Sequence, residues 1–172
     1  AEPFRAQRIV ELIEEMSSNG ETISLEDMAA IQADQASAQV RTLLPFLLQT
    51  EAASDRQRTA LNLLSQWDGV SASESGAQAI YAAWSAAFYH GIVGDDLGGE
   101  LYETFIARFD PVFVQNVLND EALAFVWCDN VQTPQHESCA DIAHSSLDIA
   151  LGQLTEMMGS NMDRWAWGDV HQ

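Results

Sequence analysis

The sequence predicts an all-α fold, an irregular multi-helix bundle of about seven or eight helices. Three observations carry this. Apolar residues recur at three- and four-residue spacing through successive segments. Clusters of Gly, Asn, Asp, Ser and Pro interrupt those segments at helix-length intervals. No stretch alternates apolar and polar residues as a half-buried strand does. With 172 residues and a hydrophobic fraction of 47%, the chain suits one folded domain over 1–172.

The first helix runs from Phe4 to Met16, where Phe4, Ile9, Leu12, Ile13 and Met16 share helical spacing. Ser17-Ser18-Asn19-Gly20 ends it with residues that tolerate left-handed backbone. Ser24 is the expected N-cap of a second helix, with Asp27 at N3 and Glu26 at the positive end of the dipole. That helix should reach about Thr50, kinked or split near Leu43 by Pro45. Ser54-Asp55 opens a third helix bearing Leu61, Leu63, Leu64 and Trp67, closed by Asp68-Gly69. A long helix from about Glu74 to Val93 carries Ile80, Tyr81, Trp84, Phe88 and Ile92, and its many alanines suit close approach by neighbours. Gly94-Asp95-Asp96-Leu97-Gly98-Gly99 is expected to break it, followed by a shorter helix over Leu101–Phe109. Pro111 fits the first position of the next helix, and Asn119-Asp120-Glu121 caps a short one through Trp127. Glu137 to Met158 forms a long amphipathic helix with Ile142, Leu147, Leu151, Leu154 and Met158 on one stripe.

The tail Trp165-Ala166-Trp167-Gly168-Asp169-Val170-His171 follows a Gly159-Ser160-Asn161 turn signal. Two tryptophans this close cost hydrophobic free energy if they stay in water. The tail should therefore fold onto the helices around Trp127 and Met158, or pair with another copy of the chain. It is expected to be poorly ordered or buried in a contact between chains.

Charge narrows the function classes. There are 26 acidic against 7 basic residues, all seven of them Arg, for a net charge of -19. Nucleic acid and anionic membrane surfaces would be repelled. No apolar run approaches the ~18 residues of a membrane span. The chain begins with Ala and shows no signal peptide, so a mature or excised piece is expected.

Few residues suggest chemistry by themselves. Cys128, His136, Cys139 and His144 lie close together but match no common zinc spacing. A disulfide closing the short Cys128–Cys139 loop is the better reading if the compartment is oxidising, with two buried free thiols as the alternative. Ser160 could in principle act as an N-terminal nucleophile after chain cleavage, with its own amine as base. No strand or sheet follows it, so a helix-ending turn is the better reading. His90 and His171 lack nearby acidic or nucleophilic partners in sequence. Asp68 and Asp95-Asp96 form no calcium-loop ladder. Arg5 and Arg8 read first as ion-pairing surface residues. These residues alone describe an acidic helical domain without a complete active site.

The order of segments adds more. Arg8-Ile9-Val10-Glu11-Leu12-Ile13 precedes Ile23-Ser24-Leu25-Glu26-Asp27-Met28-Ala29-Ala30-Ile31-Gln32-Ala33-Asp34. Then come Leu43-Leu44-Pro45-Phe46-Leu47-Leu48, Leu64-Ser65-Gln66-Trp67-Asp68-Gly69 and Ser75-Gly76-Ala77-Gln78-Ala79-Ile80-Tyr81-Ala82-Ala83-Trp84. Trp127-Cys128-Asp129, Glu137-Ser138-Cys139-Ala140-Asp141 and the Trp165–His171 tail complete the series. Each motif alone is weak, but their order and spacing resemble the penicillin acylase family of N-terminal nucleophile hydrolases. That family includes penicillin amidases and acyl-homoserine-lactone acylases.

The resemblance implies an internal helical segment of the large (β) chain, excised from an αββα sandwich enzyme. The parent would cleave an acyl amide, of penicillin or N-acyl-homoserine-lactone type, with an N-terminal Ser that lies outside these residues. The oxyanion Asn and the family's calcium ligands would also lie outside, so no cofactor is expected in this segment and no metal. Arg8 is the one candidate site residue, supporting the oxyanion Asn of the parent. The partners implied are the rest of the β chain and the α chain, with self-association through the tail as a further option. The family's periplasmic or secreted habit fits a Cys128–Cys139 disulfide. The tail would be the hinge by which the helical domain re-enters the sandwich, and the segment alone would be inactive. The alternative is a non-enzymatic acidic helical interaction module.

Overall fold

Side-chain caps fix where most of the helices begin. In the computed structural model, which describes residues 3–18, 20, 22–34, 36–106 and 111–170, Ser24, Ser37, Ser54, Asp120 and Ser138 each accept a hydrogen bond from a first-turn backbone N–H. Such caps satisfy donors that a helix leaves unpaired, each contributing about 1 kcal/mol. Ser24 with Asp27, and Ser138 with Asp141, close reciprocal capping boxes. Those hydrogen bonds hold the Asp27 and Asp141 carboxyls below the usual carboxylate range.

Among the described residues the helices are α1 (Pro3–Ser17), α2 (Leu25–Ala33), α3 (Ala38–Leu47), α4 (Asp55–Ser65) and α5 (Gly76–Ile106), then α6 (Pro111–Asn119), α7 (Glu121–Trp127), α8 (Cys139–Met158) and α9 (Trp167–Val170). A 3-10 turn, Met162–Arg164, precedes α9. No strand occurs among them, and one isolated antiparallel bridge joins Ala36 to Val70. The fold is all-α.

The antiparallel pair α5 and α8 is the centre of the core. Trp84, Phe88 and Ile92 of α5 and Leu147 of α8 are all 0% exposed, with Leu151 and Leu154 at 1%. Alanines at the contact, Ala79, Ala143 and Ala150, bring the backbones close. At Gly91 the approach is closest, since a Cβ there would lie 2.6 Å from Cγ2 of Ile142. The Trp84 indole N–H donates to Ala143 O at 2.9 Å and Ser146 Oγ at 3.1 Å. The one polar edge of that buried ring is thereby satisfied.

Helix α4 is laced to α8 by polar groups. Buried Gln57 donates to Asp148 Oδ1 at 2.8 Å and accepts from Ala53 N at 2.6 Å. Arg56 donates to Leu151 O and Thr155 Oγ1. On another side, Phe105, Phe113 and Trp127 stack edge to face, with centroids 5.8 and 5.0 Å apart, and seat α6 and α7 against the end of α5.

Two expected breaks fall elsewhere. The Leu25–Thr50 segment does not divide at Pro45. It divides at Asp34–Ser37, where Ser37 caps a new helix. Pro45 lies in the closing part of α3 with an exposed ring, so the single backbone hydrogen bond it forgoes is tolerated near a helix end. Nor does Gly94 stop α5. Its missing Cβ leaves room for the His90 imidazole, which would otherwise lie 2.8 Å away. The interruption comes at Gly98, with φ 64° and ψ 168°, a backbone state that only glycine adopts freely. The expected end of the following helix at Phe109, the start at Asp110, Asn19 of the first turn, and His171 lie outside the described residues.

The tail also corrects an expectation. It is neither loose nor dependent on a second chain for cover. Trp165 is 3% exposed and its indole N–H donates to Gly159 O at 2.8 Å. Gly168 N donates to Ser73 O at 2.7 Å. A Cβ on Gly76 would sit 3.0 Å from Trp165 O, so the start of α5 must be glycine-thin where the tail crosses it. The tail therefore docks between the end of α8 and the start of α5, and not beside Trp127. Gly159 with φ 82° makes the reversal that sends it there.

Candidate functional site

The candidate site residue Arg8 sits on α1 and is held by α2's last turn. Its Nε donates to Asp34 Oδ1 at 3.1 Å and its Nη2 to Asp34 Oδ2 at 2.8 Å. This is a two-pronged guanidinium–carboxylate pair, with both side chains 16% exposed. Arg8 Nη1 lies 3.7 Å from Glu11, and Arg41 of α3 pairs with the same Glu11. Arg5 donates to Asp34 O at 3.0 Å. Three of the seven arginines thus converge where α1, α2 and α3 meet. The hydrogen bonds from Arg8 hold the Asp34 carboxyl below its usual range, and Asp34 in turn raises the Arg8 guanidinium. Arg8 is therefore an ion-pairing residue first. Its fork is fixed in orientation, as a residue that must position another group requires.

The sign of the linkage follows from that depression. Asp34 is more acidic folded than unfolded, so its pairing stabilises the fold above the ordinary carboxylate range and is lost as pH falls through the folded value. Replacing Arg8 with Leu should cost roughly 1–2 kcal/mol near neutral pH and little at low pH. Urea midpoints of both proteins between neutral pH and pH 2 would check this. Parallel curves would mean that the pair does not form.

The sulfur cluster resolves differently. Cys128, 0% exposed at the end of α7, is bonded to Cys139 at the start of α8, with Cα atoms 4.9 Å apart. The two histidines nearby take separate partners. His136 Nδ1 lies 2.8 Å from Asp129 Oδ1 and its ring packs on Phe125, while His144 adds favourable charge near Asp141. Among the described residues no group of three or more His, Cys, Asp and Glu side chains is arranged to hold a metal ion. Asp95 and Asp68 serve as backbone acceptors, for Val131 N at 2.7 Å and Val70 N at 2.9 Å. His90 packs edge-on against Tyr102 at 4.7 Å.

One feature was not visible in the sequence. A cavity of about 440 Å³ opens between the start of α1, α3, α5 and α6. Phe4, Leu43, Phe46, Pro111, Val114 and Leu118 form its apolar lining, and Gln39, Thr42, Gln49, Gln115, Asn119 and Tyr89 its polar one. Gln39 Nε2 donates to the Tyr89 hydroxyl at 2.6 Å, and burial pushes that phenol up to about 12. These residues come from four helices and share no spacing, so no linear motif announces them.

Across the whole chain, residues 1–172 match the penicillin amidase family model. The chain belongs to the penicillin amidase family. No curated protein matches it. Membership makes this an amidohydrolase-related helical segment, and it fits the order of motifs from Arg8 through the tryptophan tail. No helix of the described residues is long and apolar enough to cross a membrane.

Proposed function

We propose that the chain is the helical scaffold of an exported N-terminal-nucleophile amidohydrolase, an internal segment of its β chain. The parent hydrolyses an acyl amide of penicillin or N-acyl-homoserine-lactone type with a Ser nucleophile supplied from outside these residues. The observation that supports this most is the family match over residues 1–172. In this reading Arg8 is a positioning residue. Asp34 takes the Nε edge of its guanidinium. The remaining donors support the Asn that stabilises the oxyanion in the parent. The remainder of the β chain and the α chain are the partners, and an oxidising compartment maintains the Cys128–Cys139 bond. The tail, anchored on α5 and α8, carries the chain back toward the catalytic sandwich.

The test compares the 172-residue chain with the longer gene product that contains it. The chain alone should hydrolyse neither penicillin G nor N-octanoyl-homoserine lactone above background. The longer protein should cleave at least one of them, and Arg8→Ala in it should lower kcat about 10²-fold or more with a smaller change in KM, as for the loss of an oxyanion contact. Turnover by the isolated chain, or full activity in the Arg8 variant, would contradict the reading. Absence of activity in the longer protein, together with tight capture of another macromolecule, would favour the acidic interaction module instead.

A further inference from the structure

The cavity between α3, α5 and α6 belongs to no step above. Its volume of about 440 Å³ falls within the range of small-molecule sites. Its composition sets it apart from the rest of the molecule. The chain carries 33 charged residues, 26 acidic and 7 basic, yet no charged residue is among the described residues that line it. The floor is aromatic. Phe46 packs on Phe88 at 5.7 Å, and Phe88 on Tyr89 at 6.4 Å. Amides ring the opening. Gln39 is committed to Tyr89 and Gln49 to Pro45 O, whereas the half-buried Gln115 carboxamide makes no hydrogen bond among the described residues.

From this geometry we infer that the cavity is a binding site for an uncharged aromatic molecule bearing one amide-type group. The ring would meet Phe46 and Leu118, and the amide would pair with Gln115. A carboxamide both donates and accepts, so it matches another amide at both positions. An ion entering here would lose hydration and gain no counter-charge, so both anions and cations are disfavoured. Anions are further repelled by the surrounding net charge of -19. This inference stands apart from the acylase reading, because the nucleophile and the oxyanion site are not involved.

Three isosteric probes isolate charge: 2-naphthamide, 2-naphthoate and 2-naphthamidinium. Each is titrated into the isotopically labelled 172-residue chain at 0.15 M salt, where long-range attraction of the cation is largely screened. The amide should give saturable shifts at residues of α3 and α6, and the two ions should bind about tenfold or more weakly. Gln115→Leu should weaken the amide about tenfold while leaving helicity unchanged. Leu118→Trp, which places an indole in the cavity, should abolish the shifts. No saturable binding of the amide, equal binding of either ion, or indifference to both substitutions would overturn the proposal.

Discussion

Replacing Trp84 with Ala is expected to lower the unfolding free energy by about 4 kcal/mol, the largest single effect in the chain. The side chain is 0% exposed at the centre of the α5–α8 contact. Its removal empties a ring-sized space that the helices cannot close, because Gly91 and Ile142 are already in close contact one face along. It also strips the indole partner from Ala143 O and Ser146 Oγ. Trp84→Phe should cost less, since most of the volume stays and only the N–H is lost. Typical stabilities are about 5–15 kcal/mol, so the Ala variant should be partly unfolded at moderate urea. Chemical denaturation followed by far-UV circular dichroism measures both variants. Equal midpoints for Trp84→Ala and wild type would mean that α5 and α8 do not pack as described.

Breaking the Cys128–Cys139 bond is expected to cost about 3 kcal/mol through the entropy released to the unfolded chain. The two positions are 11 residues apart in sequence. The loop they close is also held by Glu137, which accepts from Asn130 N at 3.1 Å and from Thr133 Oγ1 at 2.7 Å. The native loop should thus keep its shape when reduced, and the effect should fall mainly on the unfolded state. Urea unfolding with and without a reductant, beside the double variant Cys128→Ala/Cys139→Ala, checks this. A midpoint indifferent to reductant would mean that the thiols are not joined in solution.

Much of the fold was legible because local rules and tertiary packing agree. Ser24, Ser54, Asp120 and Pro111 mark helix starts by their own chemistry, and the Trp84–Phe88–Ile92 stripe marks the buried face of α5. Three misplacements have a common cause. Gly94, Pro45 and the Trp165 tail were read from local propensity, but tertiary neighbours decided them. Gly94 stays helical beside His90, and Pro45 sits at the solvent near a helix end, while the break falls where Ser37 can cap. Trp165 finds cover against Gly76, about ninety residues earlier in the chain. The site divides in the same way. Arg8 could be singled out from the order of motifs around it, but its partner Asp34 lies across a turn and is identified only by the fold. The uncharged cavity leaves no trace in sequence, since its walls come from four separate helices.

The central claim is that these helices serve an enzyme whose nucleophile is generated by chain cleavage. Intact-mass analysis with N-terminal sequencing of the native gene product tests it most directly. The polypeptide that contains Arg8 and Trp84 should begin with Ser upstream of residue 1 and copurify with a second, separately cleaved chain. A single uncleaved polypeptide without such a Ser terminus would contradict the account.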